Sequence, residues 1–173
     1  MASSWRFLLM FLTILAIFSS LSSKPSTLIQ QTCKNTKHYD LCVSSLKSDA
    51  SSAKADTKGL ALIMIRLGVA NATATSAYLS SAKNETALVM KECADKYALA
   101  GEALRSSVQD LLDDSYDYAY IHVMAAADYP NSCRNGFRRY PGLVYPPELA
   151  VREDGLKGIC DVVLGIIDSI GFQ

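Results

Sequence analysis

The sequence predicts an all-α protein, in which an antiparallel four-helix bundle follows an N-terminal helical hairpin pinned by a disulfide. Three observations support this fold class. The alternating apolar and polar runs typical of strands are nearly absent. Apolar residues instead recur every three or four positions over four long stretches, the spacing of helices that bury one face. Five cysteines follow an apolar N-terminal run, a combination typical of an exported, oxidised protein.

The N-terminal residues 1–23 are predicted to be a secretory signal peptide. Arg6 precedes an apolar run from Phe7 to Phe18, and a serine-rich segment follows it. The apolar run is too short to span a bilayer core of about 30 Å, which argues against the alternative of a retained membrane anchor. We therefore expect residues 24–173 to form one domain that is extracellular or vacuolar and does not enter a membrane.

That domain is predicted to have two parts. Residues 24–55 are expected to form the helical hairpin, because their apolar residues cluster around Cys33 and Cys42 without extending into a long stripe. Residues 56–173 are expected to form the bundle, because four long amphipathic helices joined by short polar connections pack most economically in antiparallel order.

The first bundle helix is predicted to begin at an N-cap provided by Asp56 or Thr57 and to end near Ser81. The second is predicted to begin at Thr86 and to continue to about Leu111. Their core-facing residues are predicted to be Leu60, Ile63, Met64, Leu67, Ala70, Ala74 and Tyr78 in the first helix, and Val89, Cys93, Tyr97, Ala100, Leu104 and Val108 in the second.

An acidic turn at residues 113–117 leads into the third helix, which is predicted to be kinked or ended locally by Pro130. Three prolines and one glycine within residues 141–147 exclude regular helix there. A last helix then reaches about Ile170. The core-facing residues are predicted to be Tyr120, Ile121, Met124, Ala125, Tyr129, Cys133 and Phe137 in the third helix, and Leu156, Ile159, Cys160, Val163, Ile166 and Ile167 in the last.

The spacing of the five cysteines leaves their pairing open. Cys33 and Cys42 enclose a short loop, and Cys93 and Cys133 fall on the apolar faces of helices expected to be neighbours, which would leave Cys160 free. Spacing alone does not select this pattern over the other ways of forming two bridges. A metal site is disfavoured, because there is no Cys-x-x-Cys and only two histidines. In an apolar stripe, Cys160 is expected to pack as a small hydrophobic residue.

Composition and motifs exclude most chemistry. The formal net charge is +0 and there is no basic stripe, so nucleic-acid binding has no electrostatic support. Nucleophile-elbow, phosphate-loop and dinucleotide patterns are missing. His122 is interpreted as structural, and the acidic turn lacks the spacing of a calcium loop. We predict no catalytic residue, no metal and no cofactor; a ligand carrier, the remaining alternative, would need a cavity for which the sequence shows no ring of small residues.

A rigid bundle without chemistry of its own is suited to binding another protein, because preorganisation lowers the cost of association. The segment from Arg138 to Glu148 combines cations, aromatic residues and a proline-stiffened backbone. The alternative is an ordinary rigid connection whose tyrosines pack back onto the bundle. The candidate target-binding residues are Arg138, Arg139, Tyr140, Pro141, Gly142, Leu143 and Tyr145.

Two sequons, at Asn71 and Asn84, are candidate acceptors of N-glycans in an exported protein. Asn71 falls inside the first predicted bundle helix, which makes it the poorer acceptor.

Four segments of the chain resemble the plant invertase and pectin methylesterase inhibitor family. They are Thr32–Cys42 around the first cysteine pair, Glu92–Tyr97, Tyr129–Phe137 and Arg152–Cys160. The likeness extends over essentially all of the chain after the leader. It implies a four-helix bundle with an N-terminal hairpin, bridges that join Cys33 to Cys42 and Cys93 to Cys133, and a free thiol at Cys160.

Within that family the chain is more similar to inhibitors of cell-wall or vacuolar β-fructosidase, through the segment Tyr140–Tyr145 and the tail. The resemblance implies a secreted inhibitor of an acid invertase, in the apoplast or vacuole, which inserts a loop at residues 141–143 into the sucrose cleft in an equimolar, pH-dependent complex. Some relatives carry Pro-Lys-Phe in that loop; here the cation would have to come from Arg138 or Arg139. The alternative implied is an inhibitor of pectin methylesterase that uses a bundle face.

Overall fold

The computed structural model describes residues 25–83 and 86–171, and within these ranges it contains six α-helices, one 3-10 helix and no strand. The helices are α1 (Pro25–Cys33), α2 (Tyr39–Ser48), α3 (Thr57–Ser80), α4 (Ala87–Leu112), α5 (Tyr116–Arg138) and α6 (Pro147–Gly171), with the 3-10 helix at Ala50–Lys54. The predicted all-α class, a bundle preceded by a helical hairpin, is confirmed. The predicted signal peptide lies outside the described residues and stays a prediction.

The four long helices form a closed ring of neighbours. α4 packs between α3 and α5, and α6 packs against both α5 and α3, so each helix contacts its neighbours in sequence and the last returns to the first. Short connections between consecutive helices make them antiparallel. The centre contains the largest fully buried side chains, among them Leu60, Met64, Ile65, Leu79, Tyr97, Leu104, Leu111, Leu149, Leu156, Ile166 and Ile167.

Two details of the helices differ from the sequence prediction. Of the two effects predicted at Pro130, a kink or a local end, the end does not occur, because α5 continues through this residue to Arg138. Proline removes one backbone hydrogen bond, but here its ring is buried, and the bridge at Cys133 ties the same turn to α4. α6 begins at Pro147, the last residue of the segment 141–147 from which regular helix was predicted to be excluded, because the first helical position needs no backbone N–H donor. The cap predicted at Asp56 is confirmed: its Oδ1 accepts a hydrogen bond from the Gly59 N–H at 2.7 Å.

The hairpin of α1 and α2 rests on α6. Gly165 permits a close approach, since a Cβ atom there would lie 3.0 Å from the Thr36 Cα. Two side chains beside the turn reach one carboxylate on α6: Lys37 Nζ lies 3.2 Å and His38 Nε2 3.1 Å from Asp161 Oδ2. The hairpin is therefore attached to the bundle by polar contacts as well as by packing.

Two disulfides tie the helices together. Cys33 is joined to Cys42 within the hairpin, with Cα atoms 5.6 Å apart, and Cys93 on α4 is joined to Cys133 on α5, with Cα atoms 4.7 Å apart. Cys160 is unpaired and fully buried. Burial raises the pKa of the Cys160 thiol to about 12, so it stays protonated and unreactive at neutral pH.

Among the described residues, α3 is the one helix long and apolar enough by length and composition to cross a membrane, with a mean hydropathy of 1.4. Half of the apolar window is buried inside the bundle, and the core helix of a soluble protein meets the same criterion.

The two bridges should contribute unequally to stability, because they close loops with sequence separations of 9 and 40 residues. The chain-entropy model gives losses of about 2.5 kcal/mol for the double variant C33A/C42A and about 4 kcal/mol for C93A/C133A. Urea unfolding of both variants, with Cys160→Ala as the control that keeps both bridges, measures the difference. Equal losses in the two double variants would contradict this expectation.

Candidate functional site

The loop between α5 and α6, residues 139–146, starts with a tight turn. The Leu143 N–H donates to the Tyr140 carbonyl oxygen at 3.2 Å, and Gly142 has a φ of 89°. Proline at the second position and a positive φ at glycine in the third are the signature of a type II turn. No atom lies within 4 Å of where a Gly142 Cβ would be, so a larger residue there would strain the backbone without meeting a clash.

A buried carboxylate anchors the other end of the loop. Glu153 on α6 is only 2% exposed, and its Oε2 accepts hydrogen bonds from the Tyr145 hydroxyl and from Arg134 Nε, both at 2.9 Å. Lys157 Nζ lies 3.8 Å from the other carboxylate oxygen. We call Glu153, Arg134 and Tyr145 the Glu153 clasp; it joins α5, the loop and α6 at one point.

The Tyr145 ring is also held by its neighbours. Its centroid lies 5.1 Å from that of Phe137 in an edge-to-face arrangement, and the Arg134 guanidinium carbon lies 4.7 Å from it. Burial, followed by the hydrogen bond to Glu153, raises the pKa of Tyr145. Tyr97, buried in the core nearby, has its pKa raised chiefly by burial. These contacts therefore fix the position of the Tyr145 side chain at the base of the loop.

A second carboxylate holds the start of the loop. The Tyr140 hydroxyl donates to Glu92 Oε1 at 3.0 Å, and Arg139 Nη2 lies 3.4 Å from Glu92 Oε2. The hydrogen bond to Glu92 raises the pKa of Tyr140. Both tyrosines that flank the turn thus face carboxylates on bundle helices.

The structure divides the seven predicted target-binding residues into two groups. Four are exposed: Arg138, Arg139, Pro141 and Gly142. The other three pack against the bundle: Tyr140, Leu143 and Tyr145. For the two tyrosines, this is what the alternative prediction of an ordinary rigid connection expected. Val144, outside the predicted set, is 82% exposed. Side chains alternate along the extended segment after the turn, so Val144 faces outward while Leu143 and Tyr145 face inward.

Sequence reasoning also missed Glu153, Arg134 and Glu92, which support the loop without belonging to it. A usable signal was the pair of tyrosines itself, because the hydroxyl of a tyrosine that packs against a protein core usually has a hydrogen-bond partner.

A second exposed surface lies at the opposite end of α5. Asp114, at a φ of 55°, accepts hydrogen bonds from Lys58 Nζ and from the Tyr116 hydroxyl, both at 2.8 Å. Tyr118 is 66% exposed. A cavity of about 430 Å³ opens here, lined by Tyr116, Asp117, Tyr120, Ile121, Ile167, Asp168 and Gly171. Ile121 and Met124, predicted as core, are 58% and 51% exposed; together with Tyr118 they form what we call the α5 amino-terminal surface.

Other predicted features are structural. Within residues 25–83 and 86–171 no group of three His, Cys, Asp or Glu side chains could hold a metal. His122 Nδ1 lies 2.6 Å from Asp110 Oδ2 and ties α5 to α4. Asn71 lies within α3, half-buried against Gly155, so its amide is poorly placed to carry a glycan. Asn84 lies outside the described residues.

Removing the Tyr145 hydroxyl should destabilise the protein more than removing that of Tyr140. Tyr145→Phe takes a hydrogen bond from a buried carboxylate, for which we expect a loss of about 2 kcal/mol. Water can replace the Tyr140 hydroxyl, because the Glu92 side chain is 42% exposed, so Tyr140→Phe should cost clearly less. Urea unfolding of the two variants tests this, and a larger loss for Tyr140→Phe would refute the clasp.

Alkaline pH should destabilise the fold. The pKa values of Tyr97 and Tyr145 are raised in the folded state, whereas tyrosine in the unfolded chain has a pKa of about 10. The stabilisation is therefore fully present below about pH 10 and is lost as pH rises above it, because the unfolded state releases its protons first. Unfolding free energy measured against pH should fall less steeply for Tyr145→Phe than for the parent, and identical slopes would contradict this.

Comparison with known proteins agrees with this architecture. The family model described as Plant invertase/pectin methylesterase inhibitor matches residues 27–166. "Cell wall / vacuolar inhibitor of fructosidase 2" from Arabidopsis thaliana is 50% identical over 178 aligned positions, covering 98% of this chain and 99% of the relative. "Pectinesterase inhibitor" from Actinidia deliciosa is 34% identical, covering 95% of this chain and 92% of the relative.

A solved structure shares the fold. The crystal structure of mutant form A of a pectin methylesterase inhibitor from Arabidopsis has a TM-score of 0.65 to this chain at 21% identity, covering 84% of this chain and 97% of the other. The match to the family model and the near full-length relatives have one consequence: the chain belongs to the plant invertase/pectin methylesterase inhibitor family, whose members inhibit enzymes and are not enzymes themselves.

Proposed function

We propose that this protein inhibits an acid invertase by forming an equimolar complex that closes the sucrose cleft. The observation that supports this most is the 50% identity, over nearly the whole of both chains, to a relative named as an inhibitor of fructosidase. The fold is consistent with an inhibitor, because it is a rigid body that can present a surface to another protein. Its core is filled by side chains, and two disulfides join its helices.

We propose further that the protein is exported. The signal-peptide pattern of residues 1–23 directs the chain to an oxidising compartment, where the two disulfides form and persist. Relatives named cell wall / vacuolar inhibitors favour the apoplast or the vacuole as its destination.

The proposed contact is the exposed part of the loop, formed by Pro141, Gly142 and Val144. The Glu153 clasp and the Glu92 contacts hold the base of this loop, so little ordering cost remains to be met on binding. Arg138 and Arg139 are exposed beside it. Glycoside hydrolases use a pair of carboxyl groups at the scissile bond, and arginine is suited to pair with carboxylates.

This pairing makes the complex sensitive to pH. Carboxylic acids in proteins titrate near pH 4, whereas arginine stays charged. Inhibition should therefore weaken as pH falls below about 4, where the enzyme carboxylates become neutral.

Pectin methylesterase is the second candidate target. It is favoured by the 34% identical relative named as a pectinesterase inhibitor, and a methanol-release assay separates this activity from inhibition of sucrose hydrolysis.

The test compares the two ends of α5. The protein with both disulfides formed should inhibit wall or vacuolar acid invertase at stoichiometric amounts at about pH 5. Val144→Asp places a charge on the proposed contact and should weaken inhibition about tenfold or more. Tyr118→Ala alters an exposed residue on the α5 amino-terminal surface and should leave inhibition unchanged. Thermal unfolding of both variants checks that they are folded.

Absence of inhibition over a panel of acid invertases, combined with inhibition of pectin methylesterase, would replace the first target with the second. If Tyr118→Ala loses inhibition while Val144→Asp keeps it, the loop is not the contact and the α5 amino-terminal surface takes its place.

A further inference from the structure

A polar cleft lies between α4 and α5, beside the start of the loop. Its volume is about 320 Å³, and its lining consists of Lys96 on α4, Ser132 and Asn135 on α5, and Arg139 at the end of α5. No large apolar side chain lines it. Both cations carry hydrogen-bond donors, and the other two side chains are neutral hydrogen-bonding groups.

The floor of the cleft is held covalently. A narrow extension beneath it is lined by Cys93 and Cys133, the residues of the α4–α5 disulfide, and by Gly136. A Cβ atom on Gly136 would lie 3.7 Å from Arg139 Nη2 and 3.9 Å from Glu92 Oε2, so glycine leaves space between these groups. The helices on either side of the cleft therefore keep a fixed separation.

The donors in this cleft are only partly used. Lys96 has no ion-pair partner within the part of the chain that the structure describes. Arg139 has a 72% exposed side chain and one contact, to Glu92 at 3.4 Å. Asn135 Oδ1 accepts from Arg138 Nη1 at 3.2 Å, which leaves the Asn135 amide N–H groups as donors. Donors thus outnumber acceptors around an open space.

We propose that this cleft binds a carboxylated saccharide, a uronic acid unit of an acidic polysaccharide. Lys96 and Arg139 pair with the carboxylate, and Ser132 and Asn135 hydrogen-bond to ring hydroxyls. The Ser132 hydroxyl can donate and accept and the Asn135 amide can donate, which matches ring hydroxyls that do both; an acidic peptide is the rival ligand that poly-glutamate tests below. The inference uses the proposed export, which brings the protein to such polymers, but is independent of the identity of the inhibited enzyme.

Glu92 reduces the positive charge of the cleft. It lies in the narrow floor and already accepts hydrogen bonds from Tyr140 and Arg139. Because it partly neutralises Arg139, Lys96 supplies most of the uncompensated charge, and the affinity for a single unit should be modest. Several units of one polymer, binding several protein molecules, would retain the protein at a surface without immobilising it.

The experiment titrates the oxidised full-length mature protein with de-esterified oligogalacturonate and follows backbone amide shifts by NMR. We expect shifts at Lys96, Ser132 and Asn135, and an affinity that falls as salt is raised, because both partners are charged. Lys96→Gln should weaken binding roughly five-fold, and Lys96→Arg should restore it. Lys47→Gln is the matched control, because it removes the same charge from an exposed position on α2.

Two further ligands separate the sources of binding. Fully methyl-esterified oligogalacturonate keeps the rings and loses the charge, and poly-glutamate keeps the carboxylates and loses the rings; both should bind more weakly. Equal loss in the two lysine-to-glutamine variants, equal binding of poly-glutamate, or no binding at all would overturn the proposal. Lys96→Gln should retain inhibition of the target enzyme, so a failure of the cleft is distinguishable from a failure of the proposed function.

Discussion

The arrangement of the loop depends on the burial of one carboxylate. Glu153 is placed where water does not reach it, so its charge must be met by groups of the protein itself. Arg134 on α5 and Tyr145 in the loop both donate hydrogen bonds to the Glu153 carboxylate. Because the carboxylate and these two partners come from three segments, satisfying the carboxylate also aligns α5 with α6 and fixes the path of the chain between them.

A buried ion pair of this kind adds little net stability, since desolvation offsets much of the attraction, and we expect its main effect to be on the conformation that the loop adopts. Apolar packing at the same place would hold the helices equally well. It would not select one loop conformation, because apolar contacts are not directional. The clasp therefore accounts for how a segment with few contacts at its tip, where Gly142 has no near neighbour, is held at its base.

Much of the fold could be predicted from the sequence, because helical periodicity and capping are local signals. The cap at Asp56 and the limits of α3 follow from a few neighbouring residues. The continuation of α5 through Pro130 could not be predicted in this way, because it depends on burial and on a bridge to another helix. The exposure of Ile121 and Met124 was missed for a related reason: periodicity indicates an apolar stripe but not whether another helix covers it.

The loop shows the same limit. Its turn could be predicted, because proline and glycine specify it locally, whereas the inward packing of Tyr140 and Tyr145 depends on Glu92 and Glu153, which are distant in sequence. Residue type alone identified these tyrosines as binding anchors. Their hydroxyls are instead used within the molecule, which leaves Val144 as the exposed apolar side chain of the segment.

The odd cysteine has a consequence for how the chain matures. A thiolate next to a bridge can attack it and exchange partners, and the rate depends on ionisation and access. In the folded protein the Cys160 thiol is buried, and burial raises its pKa to about 12. The thiol is therefore neither ionised nor accessible to a disulfide. Disulfide exchange by this thiol is thus confined to the period before the bundle closes, and the folded protein has no reactive thiol of its own with which to rearrange its two bridges.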